Sequence, residues 1–172
     1  MILKVLLYAL AALVVLAVVV TAIGYALPQN HVASVEAVLA AEPARVFDRI
    51  TDPARYPAWR TDVTRVEILG TQPLKWREHG SDDPITYEVV DSRPNERFVV
   101  RIADPDLPFG GTWTYELTPD GSGTRLVITE RGEVYNPIFR FMSRFVFSHT
   151  ATMERFIASL KDSQLSSPRH ER

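Results

Sequence analysis

From Val5 to Ile23 the chain runs nineteen residues without a charged side chain, broken only by Tyr8 and Thr21. Extended to Leu27, the stretch makes about 34 Å of α-helix at 1.5 Å per residue. A hydrocarbon core is about 30 Å thick, so the length predicts a membrane span. Tyr25 sits where an interfacial anchor is expected. A cleaved signal peptide is the competing reading, because Ala22-Ile23-Gly24 and Gly24-Tyr25-Ala26 offer small residues to a peptidase. The apolar run exceeds the roughly 7–15 residues of a signal core, which favours a retained anchor. Lys4 precedes the run and the next Lys or Arg is Arg45. That asymmetry predicts an inside N-terminus and an extracytoplasmic domain. The organisation expected is an anchor over 1–27, one domain over 28–165 and a polar tail over 166–172.

The part after the anchor is 145 residues, enough to bury roughly two-thirds of its unfolded surface. It carries eighteen basic and twenty-one acidic side chains. That balance gives no basic footprint for nucleic acid. The absence of cysteine excludes disulfides, thiol nucleophiles and thiolate metal sites. His31, His79, His149 and His170 lack metal-ligand spacing. No phosphate loop, dinucleotide fingerprint or nucleophile elbow occurs. No metal and no cofactor are expected, and the sequence does not fix an oligomeric state.

After Pro28 the pattern alternates. Ala33, Val35, Ala37 and Leu39 fall on one face of a strand over 31–39. Pro43 opens a short helix with Val46, Phe47 and Ile50 on one side, and a second short helix follows at 54–59. Six strands are then predicted near 62–69, 73–79, 84–91, 96–103, 111–118 and 124–131. Phe98, Val100 and Ile102 oppose Arg97 and Arg101; Trp113, Tyr115 and Leu117 oppose Thr112, Thr114 and Glu116. Such a sheet is wet on one face and dry on the other. One helix without internal Gly or Pro is predicted from 137 to 163. Its stripe is Ile138, Met142, Phe145, His149, Met153, Phe156 and Leu160. Arg140, Arg144, Glu154 and Arg155 mark it as a core helix rather than a second membrane helix.

This order, with Ala41-Glu42-Pro43-Ala44-Arg45-Val46-Phe47, Asp52-Pro53-Ala54-Arg55-Tyr56-Pro57-Ala58-Trp59, Gly123-Thr124-Arg125-Leu126 and Phe156-Ile157-Ala158-Ser159-Leu160, resembles the START/polyketide-cyclase/birch-pollen-allergen superfamily. The likeness covers about 32–163 and is greatest to the bacterial polyketide-cyclase-like branch. Many relatives place Asn-Pro after the tryptophan, where this chain has Arg60-Thr61. The resemblance implies an α+β helix-grip fold: a curved seven-stranded antiparallel sheet around a long C-terminal helix. It also implies a hydrophobic cavity between them, used by relatives for lipids, sterols, polyketides or plant metabolites.

The candidate ligand contacts are His149, Phe145, Met153, Trp76, Tyr87, Phe98, Trp113, Tyr115 and Glu130. His149, central in the stripe, is the candidate general base; the competing readings are a ligand contact and, ahead of both, a structural imidazole bonded to a backbone carbonyl or water. A regular strand points Glu130 inward, where desolvation raises its pKa; the competing placement is the water-accessible rim. Glu78 shares a face with Leu74 and Trp76 and takes the same two readings. Tyr56 and Trp59 wedge the short helices against the sheet end. Three functions are compatible with these residues. They are a membrane-anchored binder of a lipid or other hydrophobic small molecule, a cyclase or dehydratase, and a protein-interaction module.

Overall fold

A computed structural model describes residues 2–80, 83–145 and 150–165. Helix α1 spans Ile2–Ala26 and is long and apolar enough to cross a membrane. Strand β1 (Asn30–Leu39) begins after a three-residue link. Helix α2 (Pro43–Ile50) follows, then a 3-10 helix (Pro53–Ala58). The remaining strands are β2 (Val63–Thr71), β3 (Leu74–Gly80), β4 (Ile85–Arg93), β5 (Arg97–Ile102), β6 (Phe109–Asp120) and β7 (Gly123–Val134). Helices α3 (Pro137–Phe145) and α4 (Ala151–Leu165) complete the described chain.

The strands form one antiparallel sheet in the order β1-β7-β6-β5-β4-β3-β2. The six later strands follow one another as hairpins, the shortest connection for alternating sequence. The first strand closes the far edge by pairing with the last, Val35 opposite Ile128 and Leu39 opposite Thr124. Asn95 and Gly121 sit at the turns with positive φ, a conformation that asparagine and glycine accept at low cost. Alternation then decides the faces. Leu39, Leu117, Leu126, Ile128, Tyr115, Phe98 and Val100 are buried on the concave side, whereas Glu36, Arg101, Glu116 and Arg125 lie on the outer one. The outer charges pair across strands, Arg125 with Glu36 and Asp120, and Arg101 with Glu88.

Helix α4 fills the grip, with Met153, Phe156, Ile157 and Leu160 buried. Helix α2 packs Val46, Phe47 and Ile50 beneath the sheet end. Tyr56 is buried among them and its hydroxyl donates to the Ile50 carbonyl at 2.6 Å. Thr124, also buried, donates to the Ala41 carbonyl at 2.6 Å. These two bonds satisfy polar groups that would otherwise be costly to bury.

One expectation is corrected. The predicted single helix over 137–163 is described as two helices, Pro137–Phe145 and Ala151–Leu165, with Thr150 just before the second outside any helix. The apolar stripe therefore serves two environments. Met153, Phe156 and Leu160 enter the core, but α3 buries no residue fully and packs against α1 and β7. The core-helix reading holds for α4 and not for α3. Period alone does not separate the cases, because the same spacing suits any apolar neighbour.

Candidate functional site

The concave face is not uniformly closed. At the end where Leu39, Leu117 and Leu126 lie, it is sealed by α2 and α4. Toward the end where α1 leaves, the inward residues His31, Ala33, Ile102, Tyr87, Trp113 and Glu130 are only half-buried. The register explains their neighbourhood: Ala33 opposes Glu130, Glu130 opposes Trp113, and Trp113 opposes Val100. Tyr87 opposes both Ile102 and Trp76. Gly111 and Gly132 oppose each other one step further out. The His31 imidazole lies directly over Gly132, in the space that a side chain there would occupy.

An aromatic wall spans this region. Trp76 stacks on Tyr87 at 5.6 Å with a 26° tilt. Phe156 of α4 meets Tyr115 at 5.4 Å, Trp59 at 5.3 Å and Trp113 at 6.5 Å. Phe98 packs between Phe47 and Tyr115. Burial, and after it nearby Glu78, pushes the Tyr87 phenol well above its ordinary pKa. Burial also raises Tyr115. Both hydroxyls therefore stay protonated near neutrality.

Two polar groups interrupt the wall. In the first, Glu130 Oε1 lies 3.7 Å from His31 Nε2. Burial raises the Glu130 carboxyl, opposed in part by a hydrogen bond from Trp113. The second is a buried charge network around Arg60. Its guanidinium donates to both oxygens of Asp62, at 3.2 and 2.6 Å, and to Glu78 Oε2 at 2.9 Å. Trp76 Nε1 donates to the other Glu78 oxygen at 2.9 Å. The side chains of Arg60 and Glu78 are only 10% and 11% exposed. Arg60 also lies over the Tyr56 and Phe156 rings, at 5.0 and 5.3 Å. Burial would lower Arg60, but Asp62 and Glu78 outweigh it and hold the cation firmly charged. Burial would likewise raise Asp62, yet the Arg60 hydrogen bond and charge leave it below the usual carboxylate range. At Glu78 burial wins over Arg60 and Trp76, and the carboxyl is raised.

The sequence-derived candidates separate into groups. Trp76, Tyr87, Phe98, Trp113, Tyr115, Met153 and Glu130 all meet on the concave side. Phe145 does not; it ends α3, largely exposed, with its ring on Phe141 at 4.9 Å. His149 lies outside the described residues. Sequence reasoning missed His31 and Arg60. The first is legible by extending the alternation Ala33, Val35, Ala37 back by two. The second had no signal beyond its departure from the Asn-Pro of relatives. Among the described residues no group of His, Asp and Glu could hold a metal ion. A surface groove of about 970 Å³ between α2, the 3-10 helix and the end of α4 is lined by Arg45, Asp48, Arg49, Asp52, Arg55 and Asp162. That charged lining does not suit an apolar guest.

A sheet wrapped around a C-terminal helix, with an aromatic interior that is only half-buried at one end, defines a helix-grip protein of the START-like class. A family model described as polyketide cyclase / dehydrase and lipid transport matches residues 30–163, and the chain belongs to that family. Solved structures agree on the fold. A START superfamily protein from Mycobacterium smegmatis superposes with a TM-score of 0.63 at 18% identity, covering 79% of this chain and 99% of that one. Norcoclaurine synthase from Thalictrum flavum gives 0.64 at 12%, covering 80% and 88%. A protein from Thermus thermophilus gives 0.65 at 20%, covering 80% and 100%. Comparison with curated proteins by sequence gives no match. The family and fold support a ligand-binding or cyclase-like function in general.

Proposed function

We propose that this chain is a membrane-tethered binder of a lipid-like or other hydrophobic small molecule, held on the concave face. The observation that carries the reading is the gradient of burial across that face. Trp113, Tyr87, Val35 and Val89 remain half-buried at one end, although they pack against the apolar and aromatic core. Such a surface gains free energy when an apolar guest covers it, at roughly 25 cal/mol per Å². Protonated tyrosines and the raised Glu130 carboxyl supply the few polar contacts that orient a guest. The open end is also the end from which α1 departs, and three residues link α1 to β1. That tether holds the opening near the bilayer, where apolar molecules concentrate. The single lysine in the first turn of α1, with no Lys or Arg after it until Arg45, supports an extracytoplasmic domain.

Filling the open end tests the reading. Ala33→Phe places a ring beside Glu130 and Trp113, in space that is half-buried. Full-length protein isolated with its bound apolar molecules is expected to lose them at least about tenfold in this variant, at an overpacking cost of about 1–3 kcal/mol that leaves the chain folded. Retention equal to the wild type would move the binding site elsewhere.

A second reading is favoured by the His31–Glu130 pair. An imidazole next to a raised carboxyl at the mouth of an apolar space is a proton-transfer arrangement. One structural neighbour was solved with dopamine and hydroxybenzaldehyde bound. If this chain is cyclase-like, His31→Gln abolishes turnover and leaves guest binding within a few fold. Unchanged turnover removes His31 from the chemistry.

A further inference from the structure

We infer that α3 is an interfacial helix whose outer face lies in the lipid surface beside the exit of α1. This rests on the reading of α1 as a membrane span. The attachment of α3 to α1 is built rather than incidental. Gly24 is the buried residue of α1, and the Pro137 carbonyl occupies the position that a Cβ at Gly24 would take. The backbone of the first residue of α3 thus sits directly on the last turn of α1. Arg140 fixes the joint: Nε donates to the Val134 carbonyl at 2.7 Å, Nη2 to the Tyr135 carbonyl at 2.9 Å and Nη1 to that of Gly24 at 3.5 Å. A cation at that point also complements the negative end of the α1 dipole. The Asn136 side chain accepts from the amides of Ile138 and Phe139 at 2.9 and 3.3 Å, capping the start of α3.

Arg140 stands on the polar side of α3, opposite its apolar side chains. At 100° per residue, Phe141, Phe145, Ile138, Met142 and Phe139 fall within an arc of about 160°, and Ser143, Arg140 and Arg144 fill the remainder. Ile138, Phe139 and Phe145 are 47%, 49% and 62% exposed. Three large apolar side chains on one nine-residue helix are a costly surface in water. The apolar surface continues onto α1, most of whose side chains from Ile2 to Ile23 are exposed in the same way. Tyr25 stands at the junction, suited to the headgroup level. Exposed Arg144 borders the arc, placed to meet lipid phosphates. A bilayer that accepts α1 therefore meets α3 at its surface. Docking α3 there fixes the domain's tilt, which a flexible link alone would not.

The test uses the full chain in nanodiscs and exploits its lack of cysteine. Single variants Leu13→Cys, Phe139→Cys and Ser122→Cys are labelled with an environment-sensitive dye. Each is then quenched by lipids carrying a spin label at the headgroup or at mid-chain. Leu13 reports on the α1 span. Ser122, at the β6–β7 turn, lies about 35 Å along β7 from α3. The Leu13 label is expected to be quenched most at mid-chain. The Phe139 label is expected to be quenched at least about twofold more by the headgroup quencher than by the mid-chain one, matching a helix buried about 5–10 Å deep. The Ser122 label should be quenched by neither. Quenching at Leu13 with none at Phe139 overturns the inference and leaves the tether standing. No quenching at Leu13 overturns both.

Discussion

Replacing Arg60 by methionine is expected to destabilise the domain by about 3–5 kcal/mol at neutral pH, one of the two largest losses that any single buried change should cause. Arg60 is the cation for two carboxylates, Asp62 and Glu78, and Glu78 is nearly inaccessible. Removing it strands their charge in an aromatic surrounding of Tyr56, Trp76 and Phe156. The loss carries a pH signature. Without the cation, both carboxyls have folded pKa values above their unfolded ones. A group of that kind contributes stability below its unfolded pKa and loses it as pH rises through the folded value. In the wild type Asp62 behaves oppositely, because its pKa is lowered, and that contribution fades as pH falls. The gap between variant and wild type should therefore be widest near pH 7 and narrow toward pH 4. Chemical denaturation across that range checks it; a gap constant with pH would show that lost packing, not stranded charge, is responsible. Adding Glu78→Leu to Arg60→Met should recover about half of the loss, since the more deeply buried carboxylate is then gone.

Phe156→Ala is the second large effect, expected to cost about 3–5 kcal/mol. Its ring is the hub of the interior, meeting Tyr56, Trp59, Trp113 and Tyr115, with Arg60 over its face. Truncation forfeits the transfer of the ring, leaves a void between α4 and the sheet, and removes a cation–π contact of about 0.5–2 kcal/mol. The melting point of the full chain should fall by about 10 °C or more. Phe156→Leu should cost less than half as much, because it keeps most of the volume. Equal losses for the two variants would mean that the space around the ring collapses freely and is not a defined wall.

Much of the fold was legible because alternation is a local signal. The faces of β5 and β6 follow from Phe98, Val100, Trp113 and Tyr115, and the turn chemistry at Asn95 and Gly121 set where strands end. The pairing of His31 with Glu130 was not legible. It depends on β1 closing the sheet against β7, about a hundred residues away, and that register is a product of the whole sheet. Arg60 was hidden for a different reason. A charged residue after Trp59 reads as exposed until two acidic partners, Glu78 of β3 and Asp62 of the loop before β2, are seen around it. The division of the last helix left no mark either. No glycine or proline separates Phe145 from Ala151, and the apolar stripe continues through both halves. What differs is the neighbour, α1 for one half and the sheet for the other.

An apolar guest on the concave face is the claim on which the proposed function turns. Native mass spectrometry of the full-length chain, released from nanodiscs at low activation energy, reads this directly. The predicted spectrum contains a one-to-one complex with a hydrophobic molecule, surviving after annular lipids have been stripped and reduced by Ala33→Phe. A spectrum of bare chain alone under conditions that preserve the fold would contradict it.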